Sequence, residues 1–464
     1  MKANTKVVNM FDVIVKNGEV YNTRTDKFEM KDIGILGSKI GKISKGLYGG
    51  EIIDASNMIV SPGFIDIHIH EDYLENGKIN YKIAEYMVKM GVTTQVGGNC
   101  GLGKVEIGKY LQYISENGAP NNYIGFVGYA SLRERVGVKD IYAPTPKKKK
   151  FEILKLICQV MKEGAIGISF GLEYTPKVTT SEMIEVGKVI KPFNGMMSIH
   201  YRHDAIMSLD SVRELIEVCR KSGVAVQISH IGSCSAFGYI DKSLKVISKA
   251  RNQGIDVMTD CYPYSAFCTY LGSAVFDEGC LKPWGASFED LEFGGGPLKG
   301  KRAKRNTFEK MRKEYPKILM IAHVMKEEEV IQAIRHPLVM IASDGILQNG
   351  SGHPRAAGTF PRILGKFVRE SNLLSLHEAL KKMTCLPASR LGLKKKGIIE
   401  EGFDADITIF DPRNIIDKAT YENPTEPPDG IEWVIVNGKF AVRNGKRTNN
   451  MAGRPIENPR KRIK

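Results

Sequence analysis

The sequence contains no apolar run near the roughly 18 residues that a membrane helix needs, so it offers no candidate for a helix crossing a bilayer. Its opening, MKANTKVVNMFDVIVKNGEV, lacks the apolar core of an export signal, and a cytoplasmic location is expected. The eight cysteines follow no repeated spacing, which argues against a disulfide framework and leaves the thiols free for other chemistry. There is no internal repeat and no low-complexity tract. Acidic residues are the scarcer charge, 52 against 67 basic, giving a net +15. The basic runs at 147–150, 299–305, 394–396 and the final RKRIK lie far apart and are not interleaved with aromatics. That pattern fits solvated surface better than a footprint for nucleic acid or a membrane, and neither is expected as a partner.

What is present is ordinary globular composition, 42% hydrophobic with mean hydropathy −0.21, in a chain of 464 residues. That length suits one large domain and a smaller one. Both ends read as short strands and turns: FDVIVKNGEVYN, KDIGILGSKIGKIS and EIIDASNMIVSPG at the start, ADITIF and EWVIVNGKFAVRNGK near the finish. The Asn-Gly and Gly-Ser pairs in the first 60 residues suit hairpin turns. A β-sandwich built from residues 1–59 and 396–464 is expected. Between them, residues 60–395 alternate apolar strand-like runs with amphipathic helical ones. GFIDIHIH, TTQVGGN, YIGFVGY, GAIGISF, GMMSIHY, AVQISHI, DVMTDCYPY and LVMIASDG are eight buried strands in this reading. Strand–helix alternation of this kind predicts a (β/α)8 barrel. The seventh-to-eighth connection, about 270–335, is too long for a plain crossover and reads as an insertion of the kind that often acts as a lid.

Polar residues punctuate the strand ends. His68 and His70 end the first and, with Asp66, share one face if strict alternation holds. Cys100 follows the second, His200 ends the fifth, His230 the sixth and Asp344 the eighth. In a parallel barrel all these ends meet on one face, so the six form a candidate metal centre. Imidazole and thiolate suit zinc. A single histidine is more often a satisfied core or surface residue; six donors at strand ends together are harder to explain that way. His203 reads as a loop residue near His200. His323, closing ILMIAH, is a rival ligand, while His336, His353 and His377 are unremarkable. Cys158 and Cys219 fall on apolar helix faces, where packing is their expected role.

The segments VSPGFIDIHIHEDYL, GVTTQVGGNCG, GISFGLEYTP, ISH, YPY, SDG, HPRAAGTFPR, ALKKMTCLPASRLGL and GFDADITIFDP, in this order through nearly the whole chain, resemble the D-aminoacylases. These are the N-acyl-D-amino-acid deacylases of the amidohydrolase superfamily. The most specific element is GGNCG. The resemblance implies a (β/α)8 barrel with a sandwich from both termini. It also implies one tight zinc on Cys100, His200 and His230, with His68, His70 and Asp344 around a second, weaker position. Arg355 matches the position that binds the substrate carboxylate. Two departures stand near the expected pocket. Gly232 occupies a place where the family often has lysine, and His203 and Asp204 replace two acids, while Arg202 is kept.

The chemistry expected is hydrolysis of an N-acyl-D-amino acid. Zinc supplies an activated water and a polarised carbonyl, and Asp344 serves as general base and then acid. Tyr174, Tyr264 and Arg202 are further candidates for contacting substrate, with core packing the alternative for both tyrosines. Cys100 as a nucleophile is disfavoured because no His–acid relay precedes it. Other readings are a cyclic-amide hydrolase of hydantoinase or dihydroorotase type, a dipeptidase acting on D-residues, and, remotely, a non-catalytic assembly protein on the same fold.

Overall fold

The computed structural model describes residues 11–70 and 72–461. Eight parallel strands form the central sheet in chain order: Phe64–Asp66, Val92–Gly97, Asn122–Gly128, Gly167–Gly171, Met196–His200, Ala225–Ile228, Val257–Cys261 and Val339–Ile341. Each expected strand is present. The ring closes just beyond its first and last strands. Ile69 bridges Gly345, the Asp344 N–H donates to the His68 carbonyl at 2.8 Å, and the His70 N–H donates to the Gly345 carbonyl at 3.0 Å. Most strands are buried along their whole length, as sheets covered on both faces require. Helices such as Ile107–Asn117, Thr180–Ile190 and Ser208–Ser222 pack outside. Thr179 and Glu182 form a capping box at the start of the second, and Gly223, at φ 69°, ends the third.

Inside the ring, one apolar cluster takes side chains from all eight strands or their first flanking residues, including Ile65, Val96, Phe126, Met196, Met258 and Met340. Ala388 and Leu391, from the helix Cys385–Leu391, join this cluster and seal the N-terminal end of the barrel. A polar layer lies above it. Ser198 Oγ donates to Asn99 Oδ1 at 2.7 Å and Gln227 Nε2 to Asp260 Oδ2 at 2.7 Å, so these buried groups are satisfied before the strand ends are reached.

The two termini build two further sheets. One runs Lys39–Ser44, Asp32–Leu36, Val13–Lys16, Glu51–Asp54; the other runs Lys446–Arg447, Lys439–Arg443, Ile431–Val436, Ile407–Phe410, Ile59–Pro62, Glu19–Asn22, Lys27–Met30. Val15, Ile33 and Ile53 of the first pack with Val20, Val60 and Ile409 of the second. Gly37–Ser38 turns a hairpin as its sequence suggests. Asn17–Gly18 does not, because Val13–Lys16 and Glu19–Asn22 belong to different sheets. A Cβ on Gly18 would lie 2.5 Å from Val60 Cγ2, so this glycine lets the chain cross closely between the sheets. Within the seventh-to-eighth connection, Phe267–Tyr270, Leu319–Ala322 and Leu291–Phe293 form a small antiparallel sheet beside the barrel mouth. Among the described residues no helix is long and apolar enough to cross a membrane.

A buried ionic knot joins the terminal sheet to the barrel. Asp406 Oδ2 accepts from Lys396 Nζ at 2.6 Å and Asn122 Nδ2 at 3.0 Å, and its Oδ1 accepts the Asn437 N–H at 2.7 Å. Removing one partner strands the others without water. Asp406→Ala is expected to destabilise the protein by about 3–5 kcal/mol, read as a lower urea midpoint. A midpoint equal to the parent's would show that the knot contributes little.

Candidate metal centre

The first barrel strand ends at Asp66, and the alternation expected over 65–70 breaks there. Ile65 and Ile67 join the inner cluster but Ile69 joins the outer one, so the phase slips between them. Asp66 therefore does not share a face with His68 and His70. Its Oδ1 accepts the His68 and Ser343 N–H groups at 3.1 Å each, pinning the first strand's end to the eighth's. The GGNCG turn is explained by contact. A Cβ on Gly98 would stand 2.1 Å from the Phe126 carbonyl oxygen and one on Gly101 would stand 2.9 Å from the Gly171 nitrogen. Only a bare backbone fits so close.

Cys100, His230 and Asp344 adopt positive φ, 54°, 30° and 49°. Such non-glycine conformations cost on the order of 1–3 kcal/mol each and persist where the surroundings over-determine them. Here they turn three donors toward a common point. Cys100 Sγ lies 3.4 Å from His68 Nε2 and 3.5 Å from His230 Nε2, and His230 Nε2 is 2.9 Å from His200 Nδ1. Asp344 Oδ1 lies 3.1 Å from His70 Nε2 and 3.3 Å from His68 Nε2. The donors thus fall into two groups that share Cys100: His68, His70, Cys100 and Asp344, and Cys100, His200 and His230. Within each, the ligand atoms lie within 4.8 Å of one another. Six sequence-predicted candidates are brought together. Thiolate, imidazole and carboxylate at this spacing fit a divalent cation of zinc type.

Several groups orient these donors. Asp260 Oδ1 accepts the His230 N–H at 2.9 Å and lies 3.3 Å from His68 Nδ1, while Ser233 Oγ is 2.7 Å from His230 Nδ1. Glu173 Oε2 is 3.0 Å from His200 Nε2. Such partners fix ring orientation and tautomer at metal sites. Burial opposes ionisation of Cys100, but His68, His230 and His200 hold its thiol well below the ordinary value. Burial likewise opposes ionisation of Asp344, yet Arg355, His68 and His70 hold it well below the usual carboxylate range. Burial disfavours charge on His70 and His200, but Asp344 and Cys100 push the first up to about 9, and Cys100 and Glu173 push the second up to about 10. Without a cation, protons on the imidazoles balance the two anions.

A cavity beside the donors is lined by Tyr174, Asp344 and Arg355 and also by Glu173, Asp204 and Tyr262. Arg355 is 1% exposed. Its Nη2 meets Asp344 Oδ2 at 2.9 Å and the Cys268 carbonyl at 3.1 Å, while Nε and Nη1 have no partner among the described residues. His353 positions it by accepting the Arg355 N–H at 3.0 Å. Tyr174 hydroxyl donates to Thr269 Oγ1 at 3.1 Å and its ring lies against His200.

Two expected contacts are not at the cavity. Arg202 is consumed by Glu214, at 2.9 and 2.7 Å, and by the carbonyls of Pro176 and Val178. Tyr264 turns toward Asp417, at 3.3 Å, and the Arg362 guanidinium; Tyr262, two residues earlier, takes the cavity wall. His203 is exposed in its loop, and His323 pairs with Glu292 at 3.1 Å, apart from the donor cluster. Gly232 faces packing rather than the cavity, since a Cβ there would meet Cys261 Sγ at 2.8 Å and Met325 Cε at 3.3 Å. Sequence reading missed Glu173, Tyr262 and Asp260 as site residues. Asp260 carried a signal, sharing the inward parity of Met258 two residues before it.

Residues 321–442 match the sequence pattern of the amidohydrolase family. D-aminoacylase of Alcaligenes xylosoxydans xylosoxydans is 30% identical over 96% of this chain and 97% of its own length. N-acyl-D-glutamate deacylase of Bordetella bronchiseptica has been crystallised with zinc and a phosphonate that mimics the reaction's tetrahedral intermediate. It matches with TM-score 0.85 and 26% identity, over 96% of this chain and 99% of that one. A D-aminoacylase structure bearing on the role of that enzyme's binuclear metal centre, with one metal activating and the second attenuating, matches with TM-score 0.86 and 28% identity, over 96% and 100%. A likeness that runs almost end to end in both sequence and fold settles the relationship: this chain belongs to the amidohydrolase family, with the D-aminoacylases.

Proposed function

We propose that the protein is a zinc-dependent hydrolase that splits N-acyl-D-amino acids into a carboxylate and a free D-amino acid. Arg355 carries this reading. A buried guanidinium with two unpartnered nitrogens beside the donor cluster is suited to grip a carboxylate two-pronged. An N-acyl amino acid presents that carboxylate next to its amide, whereas a hydantoin-type ring has none to offer. The named relatives, which act on N-acyl-D-amino acids or bind zinc, support the same reading. The eight free thiols suit a reducing, cytoplasmic compartment.

Cys100, His200 and His230 would hold one zinc tightly, with His68, His70 and Asp344 bordering a second, weaker position that shares Cys100. When bound, the metal lowers the pKa of water to about 7 and polarises a carbonyl. The chain's own residues do the rest. Arg355 anchors the carboxylate and so places the amide against the donors. Asp344, kept ionised by Arg355, has Oδ2 on that guanidinium and Oδ1 among the donor atoms, 3.1 Å from His70 Nε2 and 3.3 Å from His68 Nε2. It accepts a proton from the attacking water at Oδ1 and passes it to the departing amine nitrogen. Tyr174, fixed by Thr269, lines the cavity beside His200 and helps to hold the substrate.

Three outcomes are expected. The purified protein carries about one tight zinc per chain, and Cys100→Ala loses most of it by elemental analysis; parental zinc in that variant removes Cys100 from the site. Arg355→Lys keeps the charge but loses the fork, and kcat/KM falls by a factor equivalent to about 2–5 kcal/mol. Substrates amidated at the carboxylate are poor for the parent and nearly indifferent to the change; equal losses on both substrate types point to a structural role. Asp344→Asn lowers kcat by about 10²–10⁴ while the tight zinc remains. Near-normal turnover by that folded, zinc-replete variant rules out Asp344 as the proton carrier.

A further inference from the structure

Two carboxylates of the cavity wall touch no reacting atom in the hydrolysis as described, one of them Glu173, which orients His200. Glu173 follows the fourth barrel strand and Asp204 the fifth, and both line the cavity. Asp204 is only 9% exposed, yet its Oδ1 has no hydrogen-bond partner among the described residues. Glu173 spends one oxygen on His200 Nε2 at 3.0 Å. No lysine lines the cavity, and its one arginine, Arg355, already faces Asp344. A buried oxygen without a hydrogen-bond partner is unfavourable, and an ammonium or guanidinium entering with a ligand supplies the donor that Asp204 Oδ1 lacks.

We propose that the substrate's side chain is cationic, an ammonium or guanidinium held by Glu173 and Asp204 while Arg355 holds the α-carboxylate; this rests on the deacylase reading above. The substrates are then N-acyl derivatives of D-lysine, D-ornithine or D-arginine. Their aliphatic stems suit the apolar surfaces of Phe267 and Val275, which line the same cavity. A metal ion is the competing occupant, because donor atoms of His200, Asp204 and Cys234 lie within 4.8 Å of one another. His200 argues against it. Its Nδ1 is turned to His230 in the Cys100 group and its Nε2 to Glu173, leaving no imidazole nitrogen free for a further ion.

The test uses the full-length, zinc-loaded protein and initial rates on four N-acetylated substrates: D-lysine, its ε-acetylated form, D-norleucine and D-glutamate. The expected kcat/KM for N-acetyl-D-lysine exceeds that for norleucine and for the ε-acetylated form by about tenfold or more, the scale of one charged hydrogen bond. Asp204→Asn and Glu173→Gln should each shrink the lysine-to-norleucine ratio by a similar factor. Because removal of the ligand's own charge is tested on the parent protein, that comparison holds even where a variant folds poorly. Equal or faster turnover of norleucine, glutamate or the ε-acetylated form overturns the cationic pocket and leaves the deacylase reading standing. No release of any D-amino acid overturns both. An additional zinc equivalent retained by the parent and lost in Asp204→Asn overturns the proposal in favour of a metal.

Discussion

Two anions, the Cys100 thiolate and the Asp344 carboxylate, are sunk almost out of reach of water at the barrel mouth. Their need for nearby positive charge shapes everything around them. A thiolate and a carboxylate so placed would repel each other and lose hydration, and hydrogen bonds alone do not offset that. His68, His70, His200 and Arg355 provide the balance. In the metal-free chain the imidazoles carry protons that a bound cation would displace, so metal uptake and proton release are one equilibrium. Asp260, Glu173 and Ser233 then fix the direction of each ring.

The same segments also close the barrel. The His68 carbonyl accepts the Asp344 N–H, and Asp66 accepts N–H groups from both His68 and Ser343. Ligand placement and ring closure therefore use one set of backbone bonds. The strained backbone at Cys100, His230 and Asp344 persists because neighbouring strands hold both sides of each turn. His68, His70 and Asp344 cannot drift without opening the seam between the first and eighth strands.

All eight barrel strands, and the six strand-end side chains that the fold brings together, were legible in the sequence, for a physical reason. Strands buried on both faces must be continuously apolar, so a histidine, cysteine or aspartate at the end of such a run stands out. Direction beyond the last regular residue was not legible. Periodicity grouped Asp66 with His68 and His70, but a bend after Ile67 reverses the phase. Arg202 and Tyr264 sit in promising motifs, yet Glu214 and Asp417, remote in sequence, draw them away. Glu173 and Tyr262 gave no periodic signal because they lie beyond the last regular residues of their strands, Gly171 and Cys261. Asn17–Gly18 has the composition of a hairpin and instead carries the chain from one sheet to the other. Such choices depend on partners that only the folded chain brings near.

The sheet in which Ile59–Pro62 lies between Glu19–Asn22 and Ile407–Phe410 joins the beginning of the chain to its end. During synthesis, the first of these strands leave the ribosome long before Ile407–Phe410 exists. At roughly 5–20 residues per second, they wait on the order of tens of seconds while the whole barrel is made. Throughout that interval Ile59–Pro62 has one edge without its partner, an apolar strand open to mispairing with a neighbouring nascent chain. The barrel can assemble as its own strands emerge, but the terminal sheet is completed last. Ile407–Phe410 covers that edge and brings Asp406 to Lys396 and Asn122, and Ile431–Val436, Lys439–Arg443 and Lys446–Arg447 then complete the sheet.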